Sequence, residues 1–133
     1  ISRNQANKEL KIKGGATTDL SGNNIGVEAD GDALNIKLAK ALKGLTSAEF
    51  KNTAGDTTTI TGGGITYTPK DNTESKKIVS LGKDGISAGG KTIQNVGDAT
   101  NSTDAVNKKY VDNKIKDFDN KINSVNQTAT KIG

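Results

Sequence analysis

One segment of the sequence matches a nucleotide-binding motif. Residues 85–92, GISAGGKT, fit the pattern GxxxxGK[ST] of a phosphate-binding loop at every position. Such a loop binds phosphate because a strand leads into it and a helix starts directly after it, so that backbone N–H groups point at the anion. The next residues, IQNVGD, are β-branched or polar and reach a glycine early, which is a poor start for a helix. We therefore expect turns here and no nucleotide site.

The composition excludes most other site chemistry. The chain has no histidine and no cysteine, so a Ser-His-Asp triad, a thiol nucleophile and a Cys/His zinc site are all excluded. Asp30 and Asp32 lack the further acidic positions of a calcium loop. The net charge is +4, but there is one arginine and no long basic run, and Lys108-Lys109 reads as solvated surface. We expect no enzyme activity, no cofactor, no metal, no nucleic-acid partner and no direct membrane contact.

The sequence is too poor in large apolar residues for a compact monomer of its length. Leu, Ile, Val and Phe make up 27 of the 133 residues, and aromatic residues make up 3%. A fraction of about 20% lies where a chain can no longer bury enough apolar surface to offset the entropy of ordering. The chain is therefore either partly disordered or builds its core together with copies of itself.

Short strands separated by turn residues are expected from Glu9 to about Val96. A hairpin is clearest around Asp30-Gly31, because those positions tolerate positive φ and apolar residues alternate on both sides. Residues 39–45 are expected to close one helical turn that Gly44 stops. The expected strands are 10–12, 24–28, 34–38, 48–52, 57–61, 65–68, 77–81 and 91–96.

A weak internal repeat runs through this region. Each unit places two apolar residues five positions apart around a turn that contains glycine. We interpret each unit as a β-arc, and stacked arcs need neighbours to bury their single apolar face. The loop 69–75 is charged, and we expect it to be the most mobile part of the β region. The three units are Leu20/Ile25, Ile60/Ile65 and Leu81/Ile86.

The end of the chain changes to a helical period. Thr103 can cap a helix, with Asp104 in the first turn where a carboxylate meets the positive end of the dipole. Seven apolar residues then recur at alternating spacings of four and three, a 3.5-residue repeat that indicates a coiled-coil seam. They are Val111, Ile115, Phe118, Ile122, Val125, Ala129 and Ile132.

The heptad register favours a parallel assembly of three or more chains. Ile115 and Ile122 take position a, and β-branched residues at d move the preference away from two strands. Lys114 at g then faces Asp119 at e of a neighbouring chain, which predicts an interchain ion pair. A single amphipathic helix docked on its own domain is the alternative, but the β region offers few apolar residues to receive it.

Two adjoining segments resemble a known family. Residues 84–96, DGISAGGKTIQNV, and 99–107, ATNSTDAVN, closely resemble the neck of trimeric autotransporter adhesins, which precedes a coiled-coil stalk. Residues 24–50 resemble the β-rich head modules upstream of such necks. The likeness also explains the phosphate-loop match, since Gly85, Gly89 and Gly90 would permit tight turns where three chains cross.

The resemblance implies an α+β homotrimer. It would have an interleaved β-rich head at 1–81, a neck at 82–107 and a parallel trimeric coiled coil at 108–133. It also implies a bacterial cell-surface passenger fragment, anchored by an outer-membrane barrel outside this chain, that attaches cells to a host receptor or extracellular matrix protein. A tryptophan-bearing ring module and repeated β-roll motifs are missing, so the ligand is not identified.

Contact residues for that ligand are expected in the loop and on the exposed faces of the head. The candidate ligand-facing residues are Pro69, Lys70, Asp71 and Glu74. The alternative function is a structural spacer that presents a more distal binding head. A trimeric phage fibre would share the architecture, but the residues of the neck motif argue against it.

Overall fold

The computed structural model describes residues 8–73 and 77–133, and in this part the chain is α+β. Strands come first, in two separate antiparallel sheets, and one long helix ends the chain. The elements are β1 (Ile25–Asp30), β2 (Ala33–Leu38), β3 (Ser47–Lys51), β4 (Thr57–Thr61), β5 (Gly64–Thr68), β6 (Val79–Gly82), β7 (Gly85–Ser87) and α1 (Lys108–Ile132).

Strands β1 and β2 form the expected hairpin, with its turn one residue later than predicted. Asp30 pairs with Ala33, so the turn consists of Gly31 and Asp32, and Gly31 has φ +60°. Cross-strand partners lie on the same side of a sheet, and alternate residues lie on opposite sides. One face of the hairpin is therefore wholly apolar, and it consists of the pairs Ile25/Leu38, Val27/Ile36 and Ala29/Leu34.

A single side chain holds the segment that follows this hairpin. The Asn24 side chain is only 4% exposed; its Nδ2 donates to the Lys43 carbonyl at 2.9 Å, and its Oδ1 accepts from the Lys43 N–H at 3.0 Å. The Ala39 N–H donates to the Asn24 carbonyl at 2.8 Å. The helical turn predicted for 39–45 is therefore wrong, because these residues extend alongside Asn24 and Gly44 turns with φ +71°.

Strands β3 to β7 form an antiparallel meander in chain order. The pairing register places the apolar residues of all five strands on the same side of the sheet. We call this side the apolar sheet face: Ala48, Phe50, Thr58, Ile60, Ile65, Tyr67, Val79, Leu81 and Ile86. The opposite side, the hydroxyl face, carries Ser47, Glu49, Lys51, Thr57, Thr59, Thr61, Thr66, Thr68, Ser80, Ser87 and glycines.

Two of the three repeated units are hairpins and not the predicted β-arcs. Ile60 pairs directly with Ile65, and Leu81 pairs directly with Ile86, so both members of each unit lie in one sheet. Leu20 of the first unit lies outside any strand. The two-residue turns between paired strands keep the ladder continuous, whereas an arc would pass the chain to a second sheet.

Two predicted strands are absent and one strand was missed. Within the described residues, 10–12 and 91–96 have no strand beside them, and a strand without a partner leaves its N–H and C=O groups unpaired. Asn95 also has φ +61°, which interrupts the extended run. Strand β7 was missed because its three residues lie inside the segment that was interpreted as a turn.

The described part of the chain contains no buried apolar side chain, and Asn24 is its one buried polar residue. The accessible surface of the chain is 12131 Å², whereas a compact monomer of 13.8 kDa exposes about 6,600 Å². The helix of the described part is too polar to cross a lipid bilayer.

Candidate functional site

The seven predicted seam residues all lie on helix α1 and all face solvent in the single chain. At 1.5 Å per residue, the stripe from Val111 to Ile132 extends over about 32 Å. Exposure reaches 61% at Ile115, 66% at Phe118 and 63% at Val125. Large apolar side chains at this exposure are a cost in water that burial would remove, so the stripe has the character of a contact surface.

Charged residues flank the stripe on the same helix. Lys108 Nζ lies 2.6 Å from Asp112 Oδ2, one turn along, and this hydrogen bond raises the pKa of Lys108. Lys114 Nζ lies 5.4 Å from the ring centroid of Tyr110, within reach of a cation–π interaction. The ion pair between Lys114 and Asp119 joins two chains in our prediction, and it stays a prediction.

The helix begins at a cap that also holds the preceding segment. Asn107 Oδ1 accepts from the Tyr110 N–H at 2.8 Å, which satisfies one free donor of the first turn. Asn107 Nδ2 donates to the Val96 carbonyl at 2.9 Å and to Asp98 Oδ1 at 2.8 Å. Lys109 Nζ lies 3.2 Å from Asp98 Oδ2. The Asn107 side chain, and then Lys109, lower the pKa of Asp98.

The predicted cap at Thr103 with Asp104 in the first turn is therefore wrong, since Asn107 is the cap and the first turn carries no acidic residue. Asp104 Oδ2 instead accepts from the backbone N–H of Asn101 at 2.9 Å and of Thr100 at 3.0 Å. These bonds lower the pKa of Asp104. The Asp104 side chain thus closes a turn before the helix. Aspartate is common both in such turns and at helix caps.

Asp56 ties the candidate ligand-facing loop to the sheet. Its Oδ1 accepts from the Lys70 N–H at 3.0 Å, and its Oδ2 accepts from Asn52 Nδ2 at 3.0 Å and from the Tyr67 hydroxyl at 2.7 Å. The Lys70 N–H, then Asn52 and Tyr67, lower the pKa of Asp56, and the same hydroxyl bond raises the pKa of Tyr67. Lys70 also lies over Gly55, where a Cβ would come within 2.8 Å of its Cδ.

The structure describes three of the four predicted ligand-facing residues. Pro69 is half-buried, Lys70 and Asp71 are exposed, and Glu74 lies outside the described residues. Two further backbone bonds fold the visible part, from Asn72 to Pro69 and from Thr73 to Asp71. The described start of this loop is anchored through Asp56, and the mobility that we expect for 69–75 stays a prediction.

The phosphate-loop match has no supporting structure. Its first residues form β7, and Gly89 and Gly90 turn the chain with φ +64° and +80°. The chain then continues without regular structure until the helix at Lys108, so no helix N-terminus faces the motif. Among residues 8–73 and 77–133, His, Cys, Asp and Glu form no group of three that could hold a metal ion.

Sequence reasoning missed two features of this region. It placed the apolar residues of the β region in strands but did not recognise that register aligns them into one apolar sheet face. The alternation of Ala48 with Phe50 and of Ile65 with Tyr67 was the available signal. It also missed the latch that Asn107 makes with Val96 and Asp98, for which spacing offers no signal.

Comparisons with known proteins support the resemblance to trimeric autotransporter adhesins. The sequence is 51% identical over 47 residues to the trimeric autotransporter adhesin AtaA of Acinetobacter sp. (strain Tol 5), a match that covers 35% of this chain and 1% of AtaA. A solved structure of the Acinetobacter sp. Tol 5 AtaA C-terminal stalk fused to GCN4 adaptors covers 84% of this chain and 34% of its own, at 28% identity and TM-score 0.40. No protein-family model matches. The chain resembles trimeric autotransporter adhesins.

Asn107→Asp should keep the helix cap and remove the latch to Val96 and Asp98. Aspartate keeps the acceptor for the Tyr110 N–H but loses both donated bonds and places a second carboxylate beside Asp98. We expect a loss of about 1–3 kcal/mol in unfolding free energy, the cost of leaving polar partners unsatisfied. Urea unfolding followed by circular dichroism at one protein concentration measures it. Asn123→Asp, on an exposed part of the helix, is the control, and equal losses in both variants would contradict the latch.

Acid should weaken the tie between the loop and the sheet. Because the folded pKa of Asp56 is lowered, its contribution to stability is present above its ordinary pKa of about 3.9 and is lost as pH falls through the folded value. We expect Asp56→Asn to be less stable than the parent at neutral pH and the two to converge in acid. Thermal unfolding between pH 7 and 2 tests this; a constant difference at every pH would contradict it.

Proposed function

We propose that this chain is a passenger fragment of a bacterial cell-surface trimeric adhesin, folded as an in-register parallel homotrimer. The observation that carries the proposal is the absence of any buried apolar side chain in the described part, although its apolar residues follow regular periods. Residues patterned for burial and left in water require a cover. Copies of the same chain would supply this cover, because their apolar residues have the same spacing and extend over the same length.

The proposed assembly has the three parts that the motif implies. An interleaved β-rich head at 1–81 leads through a neck at 82–107 to a coiled coil at 108–133. Strand β6 crosses the first of these boundaries, and β7 continues the same sheet into the neck. The Asn107 latch supports the neck, because it fixes the direction in which the helix leaves the preceding segment.

Helix α1 supports a trimeric coil in particular. Its 25 residues extend about 37 Å, and the seam continues through to Ile132 at the last turn. Isoleucine at a with β-branched residues at d favours three strands over two. The pairing of Lys114 with Asp119 of the next chain would then fix the parallel orientation, contributing about 0.2–1 kcal/mol per pair at an exposed site.

Attachment would work through multivalency. Three equivalent faces on one fibre turn the second and third contact into intramolecular events, which raises the overall avidity without a stronger single contact. Lys70 and Asp71 are exposed at a loop whose start is anchored by Asp56, so they would be presented in a defined position. The proposed partner is a host receptor or extracellular matrix protein, and the proposed location is the bacterial cell surface.

Ile122→Lys should dissociate the assembly. It would bring three ammonium groups together at one layer of the axis, where they cannot be paired. We expect the parent to sediment as a trimer at micromolar concentration and the variant to sediment as a monomer with reduced helical content. Asn123→Lys adds the same charge one position away, at b on the outer surface, and should remain trimeric. A well-folded monomeric parent with a cooperative thermal transition would overturn the proposal.

Solid-phase binding distinguishes an adhesive head from a spacer. The trimeric fragment is applied to an array of matrix proteins and receptor ectodomains, beside a triple variant of Lys70, Asp71 and Glu74 to alanine. If the triple variant no longer binds, the loop forms the contact. If the triple variant still binds, another face of the head forms the contact. If the fragment binds nothing while the full-length fibre binds, the chain is a spacer that presents a more distal head.

A further inference from the structure

A cleft on the hydroxyl face of the β3–β7 sheet is large enough for a small ligand. Its volume is about 470 Å³, and small-molecule sites commonly occupy about 300–1,000 Å³. The cleft lies at the end of the sheet where the β4–β5 and β6–β7 turns meet the strands. The polar side chains that line it are Thr61, Thr66, Ser80, Lys83 and Asp84.

Strand pairing fixes the wall and the floor of this cleft. Thr66 pairs with Ser80 across β5 and β6, so the two side chains lie next to each other on the hydroxyl face. Gly64 pairs with Gly82 in the same ladder, and no side chain fills the space there. A Cβ at Gly64 would collide with the Leu81 carbonyl oxygen, so the floor keeps its shape only with glycine.

The cleft offers both hydrogen-bond donors and acceptors. Thr61 Oγ1 accepts from the Gly63 N–H at 3.0 Å, which leaves the hydroxyl proton of Thr61 to donate. Lys83 Nζ lies 2.9 Å from Asp84 Oδ1 in the β6–β7 turn, and their side chains are 87% and 90% exposed. A ligand in the cleft can therefore reach an ammonium donor and a carboxylate acceptor from the same side.

The lining favours an uncharged ligand. Lys83 and Asp84 are the charged residues among the described residues that line the cleft, and their charges balance. An anion would meet the carboxylate of Asp84, and a cation would meet the ammonium of Lys83.

The lining does not favour a protein segment. None of the described lining residues is an aromatic residue or an arginine, the residues that usually anchor protein contacts. Strand β6 is paired on both sides, by β5 and by β7, so the floor offers no free strand edge to an extended peptide. A ligand that is rich in hydroxyl groups matches the cleft better.

We infer, on the basis of the proposed attachment to a host partner, that this cleft binds a neutral oligosaccharide carried by a host receptor or extracellular matrix protein. Sugar hydroxyls donate and accept as the hydroxyls of Thr66 and Ser80 do, and the Asp84 carboxylate can accept from two of them. The cleft lies opposite the apolar sheet face, so the cover that the proposed homotrimer gives to apolar residues would leave it open.

Each cleft would bind its sugar weakly. It has no ring on which the apolar face of a sugar could stack, so hydrogen bonds that replace those of water provide the contact. We expect a dissociation constant in the millimolar range for a single cleft. Three clefts on one fibre, and many fibres on one cell, would raise the overall avidity.

Immobilised oligosaccharides test the inference. The trimeric fragment is applied to surfaces densely coupled with lactose, N-acetyllactosamine or mannobiose, beside sialyllactose and sulfated lactose as charged counterparts. We expect binding to at least one neutral sugar, and competition by the same sugar in solution. Thr66→Val replaces a hydroxyl by a methyl group of similar size, and Asp84→Asn removes the carboxylate. Each should weaken binding about threefold or more.

Two matched variants serve as controls. Thr59→Val makes the same change at the cross-strand partner of Thr66, on the hydroxyl face but outside the cleft. Asp32→Asn makes the same change at the second turn position of the β1–β2 hairpin, the position that Asp84 has between β6 and β7. Both should bind as the parent does. Sedimentation and thermal unfolding of every variant show whether it is a folded trimer.

The outcomes separate this inference from the proposed function. A folded trimer that binds no neutral sugar, prefers the charged sugars, or binds equally well with Thr66→Val and Asp84→Asn overturns the inference. The proposed function stands in that case if the same trimer binds a matrix protein or receptor ectodomain whose glycans have been removed. A monomeric parent overturns the proposed function, on which the inference depends.

Discussion

The structure depends on one constraint: apolar surface that is patterned for burial has no cover among residues 8–73 and 77–133. The β1–β2 hairpin, the β3–β7 sheet and helix α1 each present an apolar side to solvent in the described residues. A sheet or an amphipathic helix gains most of its stability from the layer packed against it, and a two-stranded hairpin is marginal without one. The proposed homotrimer would supply that missing layer.

Because the described residues bury no apolar side chain, local polar contacts determine how the elements are joined. Asn24 holds the segment after the first hairpin, Asp56 holds the loop after β5, and Asn107 joins Val96 and Asp98 to the start of the helix. Each uses a short side chain that satisfies backbone groups nearby, as Asx residues do in turns and caps. All of these contacts lie within one chain.

The elements with a clear period were predicted well, and the connections were not. Alternation located β3, β4 and β5 to within one residue, and the 3.5-residue repeat located α1. The same alternation could not separate a hairpin from an arc, because the two differ in where the next strand lies and not in which residues are apolar. Thr103 and Asn107 are equally good caps by residue type, and the choice of Asn107 depends on its bonds to Val96 and Asp98.

The sequence by itself determined that the chain is short of apolar residues, that it changes from a two-residue to a 3.5-residue period near position 108, and that it has neither histidine nor cysteine. The neck motif also pointed to the family that the chain resembles. Only the tertiary structure decided that five strands share one register, that Ile60 meets Ile65 and Leu81 meets Ile86, and that no strand of the described residues pairs with 91–96. The physical reason is that side-chain periodicity is local, whereas strand pairing joins residues through backbone groups that are alike at every position.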